Sequence, residues 1–141
     1  IVQAARLAGY VAHGEDIVHR GFPDTALCDF LKQGGSYPNV VSNPPFDQFR
    51  SFAEHALHVA VGKVAMIWLV RTLPAARWLQ QTPLARIWLL TPRPSMPPGH
   101  VIARGEKPGG GKQDFCWLVW ERGYEGAAEL QWLRRDKEAT D

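Results

Sequence analysis

Covalent cross-links and metal ions have few handles in this chain. It has only two cysteines, Cys28 and Cys116, far apart and without C-x-x-C spacing, which argues against a cysteine-built zinc site. The expectation is two reduced thiols, as in cytoplasmic proteins. His55 and His58 are three residues apart, but no third ligand stands near them, so no metal site is expected. Long apolar runs are missing as well. The stretch from Val64 to Leu73 stops at Pro74, short of the ~20 residues that a membrane helix needs, so no membrane partner is expected. Strong charge of one sign is also absent: 16 basic against 14 acidic residues give a formal charge of +2, and that balance alone selects no class of partner. There is no internal repeat. What remains is a chain of 141 residues with 45% hydrophobic content, enough for one domain with a core and too apolar for a disordered segment.

Read in order, residues 1–9 carry Ile1, Val2, Ala5, Leu7 and Ala8 at helical spacing and stop at Gly9, a suitable residue beyond a helix end. Tyr10 to Gly14 then reads as a strand, and Glu15-Asp16-Ile17 places carboxylates at its carboxyl end. Helix, glycine, strand and acid is the second half of a nucleotide-binding unit in which the acid accepts hydrogen bonds from ribose hydroxyls. Which of Glu15 and Asp16 does so is open at this level. Arg20 to Asp24 reads as a loop, followed by the acid–aromatic pair Asp29-Phe30 and a break at Gly34-Gly35.

Tyr37 to Ser42 is the next strand. It runs into Asn43-Pro44-Pro45-Phe46, where two prolines fix φ and remove two backbone donors, so the strand cannot continue. Phe49, Phe52, Ala53, Ala56, Leu57 and Ala60 then recur at three- and four-residue steps, the pattern of a helix burying one face. The apolar run Val64 to Val70 reads as a central strand covered on both faces. A short helix over 75–81, a strand over 86–90, a mobile Pro/Gly/basic loop over 92–113 and a strand over 114–120 follow. Residues 123–141 read as a polar C-terminal tail with a disordered end.

The Asn-Pro-Pro-Phe stretch is the one that names a chemistry. An exocyclic amine conjugated to a ring is a poor nucleophile because its lone pair is delocalised. A side-chain oxygen and a nearby backbone carbonyl that accept both N–H bonds would localise the lone pair and stabilise positive charge as the nitrogen is alkylated. Asn43 and the Pro44 carbonyl supply that pair. Phe46 can stack on the base, a contact worth about 1–3 kcal/mol. The proton can leave after alkylation, so no general base is needed before it.

On these residues the chain resembles the S-adenosylmethionine-dependent amino-methyltransferases, whose signature is Asp or Asn, Pro, Pro and an aromatic, and in particular the phage and prophage DNA adenine-N6 methyltransferases. The resemblance covers most of the chain: Gly9 to Val11 with Asp16, Asp29 to Leu31, Asn43 to Phe46, and Asp114 to Trp120 as a reversed final strand. It implies a Rossmann-like class I methyltransferase fold, a three-layer αβα domain over 1–122 with a mostly parallel sheet. The first strand and the glycine-rich loop of that fold are expected upstream of Ile1, where the chain opens without an initiator methionine. It further implies that Asp16 holds the ribose of S-adenosylmethionine, that Ile17 and Phe30 sandwich its adenine, and that Asp29 accepts from the adenine amine. Asn43, Pro44, Pro45 and Phe46 would form the catalytic loop, with Asn43 also close to the cofactor.

The expected activity is methyl transfer to adenine N6 in DNA, with the target base flipped out of the duplex. Arg93 and Lys112, with Arg104 and Lys107, are the candidates for phosphate contact. An RNA base or a glutamine amide would suit the same motif, and a non-catalytic nucleic-acid-binding remnant is the reading from a different class. Composition and motif are silent on the oligomeric state.

Overall fold

The computed structural model describes residues 1–97, 101, 104–105 and 109–135. Its framework is a five-stranded sheet in the order β3-β4-β6-β5-β7, accompanied by a separate two-stranded sheet, β1-β2. The strands are β1 (Gly14–Asp16), β2 (Thr25–Leu27), β3 (Val40–Ser42), β4 (Lys63–Leu69), β5 (Leu84–Thr91), β6 (Phe115–Glu121) and β7 (Glu129–Arg134). β1 pairs with β2 in parallel, β3 with β4 in parallel and β5 with β7 in parallel, while β6 runs antiparallel to both β4 and β5. This is a mostly parallel Rossmann-like α/β arrangement, with one reversed strand inserted between its neighbours; among the described residues α2 covers one face of the sheet, and the third layer expected on the other face is not formed. The reversed strand is the one that the sequence places at 114–120.

Helix α2 (Phe49–Val59) carries the core. Its Phe49, Ala53 and Ala56 are at most 1% exposed, and they pack on Val64, Met66 and Trp68 of β4 and on Cys116, Leu118 and Trp120 of β6. The 3.6-residue spacing of the apolar positions dictates this: one stripe of the helix meets the alternate residues of two strands. Phe49 lies flat on Trp68, with ring centroids 4.0 Å apart and planes 2° from parallel, and such aromatic pairs add about 0.5–1.5 kcal/mol beyond burial. Burial among these groups pushes the Cys116 thiol up to about 12, so this cysteine behaves as a small apolar side chain.

The far end of α2 is tied down from β6's side. The Arg122 guanidinium donates to the carbonyls of Leu57 and Ala60, satisfying acceptors that the helix end leaves free. Gly62 follows, and a Cβ there would stand 2.6 Å from the Pro38 carbonyl oxygen and 2.7 Å from Asn39 Oδ1. Only glycine lets the chain pass so close to the segment that leads into β3. The Asn39 side chain then accepts from the Lys63 amide at 2.8 Å, locking the start of β4 to the start of β3.

Several expectations shift. Helix α1 (Val2–Leu7) forms where expected, with Gly9 at φ +89° beyond it. The strand expected over 10–14 instead occupies Gly14–Asp16, so Glu15 and Asp16 lie in the strand rather than after it. β2, in the stretch just after the Arg20–Asp24 loop that carried no assignment, is its partner; three residues of mixed polarity leave no alternation to detect. The short helix over 75–81 is two 3₁₀ segments, Val70–Ala75 and Arg77–Gln81.

The 123–141 segment, read as a tail, contributes β7 through register pairs from Arg86↔Glu129 to Thr91↔Arg134. Every residue of β7 is exposed, so burial left no mark on its composition. The disordered end expected for that tail lies outside the described residues beyond 135. β4 and β6 are also covered unequally. Ile67 and Leu69 are buried against Phe115, but Ala65, Trp117 and Val119 are only half-buried and line an open depression of about 300 Å³ with Trp88 and Leu133.

Candidate functional site

β1 and β3 each have a partner on one side only, and a groove of about 2220 Å³ lies between them. Asp16, Ile17, Asp29, Phe30, Asn43, Pro44, Pro45 and Phe46 all line it. The structure therefore brings together the eight residues singled out around the cofactor and the catalytic loop. Arg93 and Lys112 are not among the lining residues. The Arg93 guanidinium instead grips Asp114 with two hydrogen bonds, 2.6 and 3.1 Å, and Lys112 is exposed. Lys107 lies outside the described residues, as does part of the 92–113 loop. The described ends of that loop are tied together: Ser95 Oγ donates to the Gly109 carbonyl at 2.8 Å.

On the β1 side, Asp16 is half-buried at the strand's carboxyl end. Its Oδ1 accepts from the Val18 amide at 3.0 Å and its Oδ2 from Arg20 Nε at 2.9 Å. The Val18 amide bond, together with Arg20 and against a desolvation cost, holds this carboxyl below its ordinary value. It stays an anion with lone pairs left over for further donors. Ile17 beside it is 64% exposed, an apolar side chain with no core to enter.

Glu15 has a different occupation, because Tyr37 Oη donates to its Oε1 at 3.3 Å across the groove. Burial, then Glu15, raises the Tyr37 phenol above its usual range, which keeps it protonated as the donor. The two acids differ in their partners: Glu15 accepts from Tyr37, and Asp16 accepts from the Val18 amide and from Arg20 in its own turn. Cys28 also lines the groove, and burial and Glu15 push its thiol upward.

Asp29 caps the 3₁₀ turn Phe30–Lys32 by accepting from the Leu31 amide at 3.1 Å, with Lys32 Nζ 3.5 Å away. Phe30 is held by aromatic neighbours, stacked on Phe52 at 5.7 Å and edge-on to His55 at 4.8 Å. His55 Nε2 is buried in this cluster and has no hydrogen-bond partner among the described residues. Phe30 is thus part of the core on one side and part of the groove on the other.

At the end of β3 the two prolines do what their chemistry dictates. Pro44 is buried, and the Pro45 carbonyl accepts from the Gln48 amide at 3.1 Å, starting the 3₁₀ turn Phe46–Gln48 that runs straight into α2. Asn43 is exposed, and no hydrogen bond takes its amide among the described residues. Phe46 is 38% exposed, and its ring lies 6.1 Å from Phe115, tilted by 42°. Leu69, Arg71, Met96, Gln113 and Phe115 complete the wall on this side. None of those five was singled out as a site residue. They come from three separate stretches, and only the fold gathers them.

No cluster of three or more metal-ligating side chains occurs among the described residues, and no helix there is long and apolar enough to cross a membrane.

Neither a protein-family model nor a curated protein matches the chain. Among solved structures, the chain is similar to a predicted O-methyltransferase from Agrobacterium tumefaciens at 15% identity and a TM-score of 0.48, over 79% of this chain and 52% of that one. The chain thus spans about half the length of that neighbour.

Proposed function

We propose that this groove carries methyl transfer from S-adenosylmethionine to an exocyclic amine, with adenine N6 in DNA as the acceptor. One observation carries the reading: an unpartnered Asn43 amide next to Pro44 and Phe46, at the carboxyl end of a parallel strand, facing the same groove as a fixed Asp16 carboxylate. The residues fit the cofactor's chemistry. Asp16 offers free lone pairs to ribose hydroxyls, exposed Ile17 and anchored Phe30 offer two apolar faces for a purine, and Asp29 offers an acceptor to its amine. When bound, S-adenosylmethionine supplies an electrophilic methyl group.

The protein's own part lies on the acceptor side. The Asn43 side-chain oxygen and the Pro44 carbonyl accept the two N–H bonds of the target amine, which draws the nitrogen out of conjugation and stabilises the charge that it gains. Buried Pro44 and the turn Phe46–Gln48 fix the backbone acceptor beforehand, and the Asn43 side chain turns to the amine as it binds. Phe46, tilted against Phe115, offers its open face to a flipped base. Arg93, Lys112 and the loop between them are proposed as phosphate contacts on the rim.

The test uses the full-length protein with methyl-labelled S-adenosylmethionine and adenine-containing duplex DNA, followed by digestion to nucleosides. Label in N6-methyl-2′-deoxyadenosine from the native protein is expected, and its loss in Asn43→Ala with cofactor binding retained. Label retained in Asn43→Ala sinks the reading. Label found only in RNA or in a glutamine amide moves the acceptor, and absence of cofactor binding favours a non-catalytic nucleic-acid-binding remnant.

A further inference from the structure

At the other end of the sheet, β7 presents an edge that the described residues leave open. Leu130, Trp132 and Leu133 are 50%, 66% and 42% exposed, and among the described residues β7 pairs only with β5. The Arg135 amide donates to the Thr91 carbonyl at 2.9 Å, and backbone groups alternate in direction along a strand. The odd-numbered residues therefore bond to β5, while Leu130, Trp132 and Arg134 aim their amides and carbonyls outward. Natural edges of this kind are blunted by charged side chains, lysine above all, by proline or by a bulge, and β7 carries charge only at its two ends, Glu129 and Arg134. β7 has neither lysine nor proline, and its pairing to β5 is unbroken over all six residues.

We propose that β7 is the interface with a second copy of this chain, paired antiparallel across a two-fold axis at Trp132. A two-fold axis perpendicular to a continuous sheet keeps each side chain on its own face, so partners must have the same parity. An axis at Gln131 would set Glu129 against the partner's Leu133 and leave its charge unanswered. The axis at Trp132 sets Glu129 opposite the partner's Arg135, Leu130 against the stem of the partner's Arg134, and Gln131 opposite the partner's Leu133. Trp132 then meets its own symmetry mate.

Neither Arg134 nor Arg135 has an ion-pair partner among the described residues, so the pairing answers charges that those residues leave open. The outward-facing backbone groups are those that this register joins, at Trp132 with itself and at Leu130 with the partner's Arg134. Opposite-charge and aromatic pairs directly across strands are the stabilising unit of a sheet, and the contact is isologous, so it closes at two copies. One strand edge per copy is a small interface, so the association is a reversible equilibrium.

Sedimentation equilibrium on the full-length protein tests this. A concentration-dependent dimer is expected, with its Kd raised about tenfold or more by Trp132→Lys. Glu129→Arg and Arg135→Glu should each weaken it, and the two together should restore it. Trp132→Cys should cross-link to itself on oxidation and Gln131→Cys should not, because only the first pair faces across the axis at disulfide range. A monomer at every attainable concentration, a dimer indifferent to Trp132→Lys, or a charge swap without restoration overturns the proposal. So does a monomer whose outward β7 amides resist hydrogen exchange, since another strand would then lie there.

Discussion

The two walls of the groove are built to different standards. The β3 wall belongs to the five-stranded sheet, and α2, which starts one turn after the Asn43–Phe46 loop, presses Phe49, Ala53 and Ala56 into the larger of the two core clusters among the described residues. The β1 wall belongs to a sheet of two three-residue strands. No residue before Pro44 is buried, and Val11, Tyr10 and Leu27 are 92%, 71% and 65% exposed. Small sheets of this kind are marginal by themselves. The wall that would orient a nucleophile is therefore stiff, and the wall that would hold a cofactor is soft. A nucleophile depends on position to fractions of an ångström, whereas a cofactor can order its own site on binding.

This contrast can be broken most severely at its stiff side. Phe49→Ala removes a ring stacked on Trp68 and leaves a cavity under the Asn43–Phe46 loop, so denaturant unfolding should register a loss of about 3–5 kcal/mol. Val11→Ala on the soft side should stay within about 0.5 kcal/mol. Equal losses would mean that the two walls do not differ as described. Next in size, Asn43→Ala should lower methyl transfer by about a hundred- to a thousandfold, the usual cost of one hydrogen-bond partner for developing charge, and leave the unfolding midpoint unchanged.

Hydrogen exchange sharpens the comparison without substitution. The amides of β1 and β2 should exchange well before those of β4 and β6, and S-adenosylmethionine should slow the former alone. The smallest effect belongs to Asp16. Its pKa is lowered in the fold from 3.8, so the carboxylate contributes stability above that value and the contribution disappears as pH falls through the lower folded value. Acid titration should loosen the β1 turn at low pH in the native protein, and Asp16→Asn should remove that pH dependence.

The stiff wall is also the part that was legible in the sequence. α2 shows in the spacing from Phe49 to Ala60 because its burial is one-sided, and the Asn43–Phe46 loop shows because two prolines end a β-branched strand. β1 was displaced and β2 missed for the opposite reason. Gly14-Glu15-Asp16 and Thr25-Ala26-Leu27 bury almost nothing, so no periodicity marks them. β7 went unread on the same ground, since Glu129 to Arg134 pairs through its backbone alone. Arg71, Met96 and Gln113, which complete the groove on the β3 side, carry no local pattern at all, and only the long-range fold gathers them.

Arg122 has a meaning for the groove that its place does not suggest. α2 is a rod of 11 residues, about 16 Å long, with the Asn43–Phe46 loop at one end and the Arg122 guanidinium at the other. A rod held at both ends transmits error: a small change in how its far end is seated becomes a change in where Phe46 and Asn43 point. The position of Asn43 and Phe46 is thus set partly at a residue outside the groove, in the last turn of a helix that leads away from them.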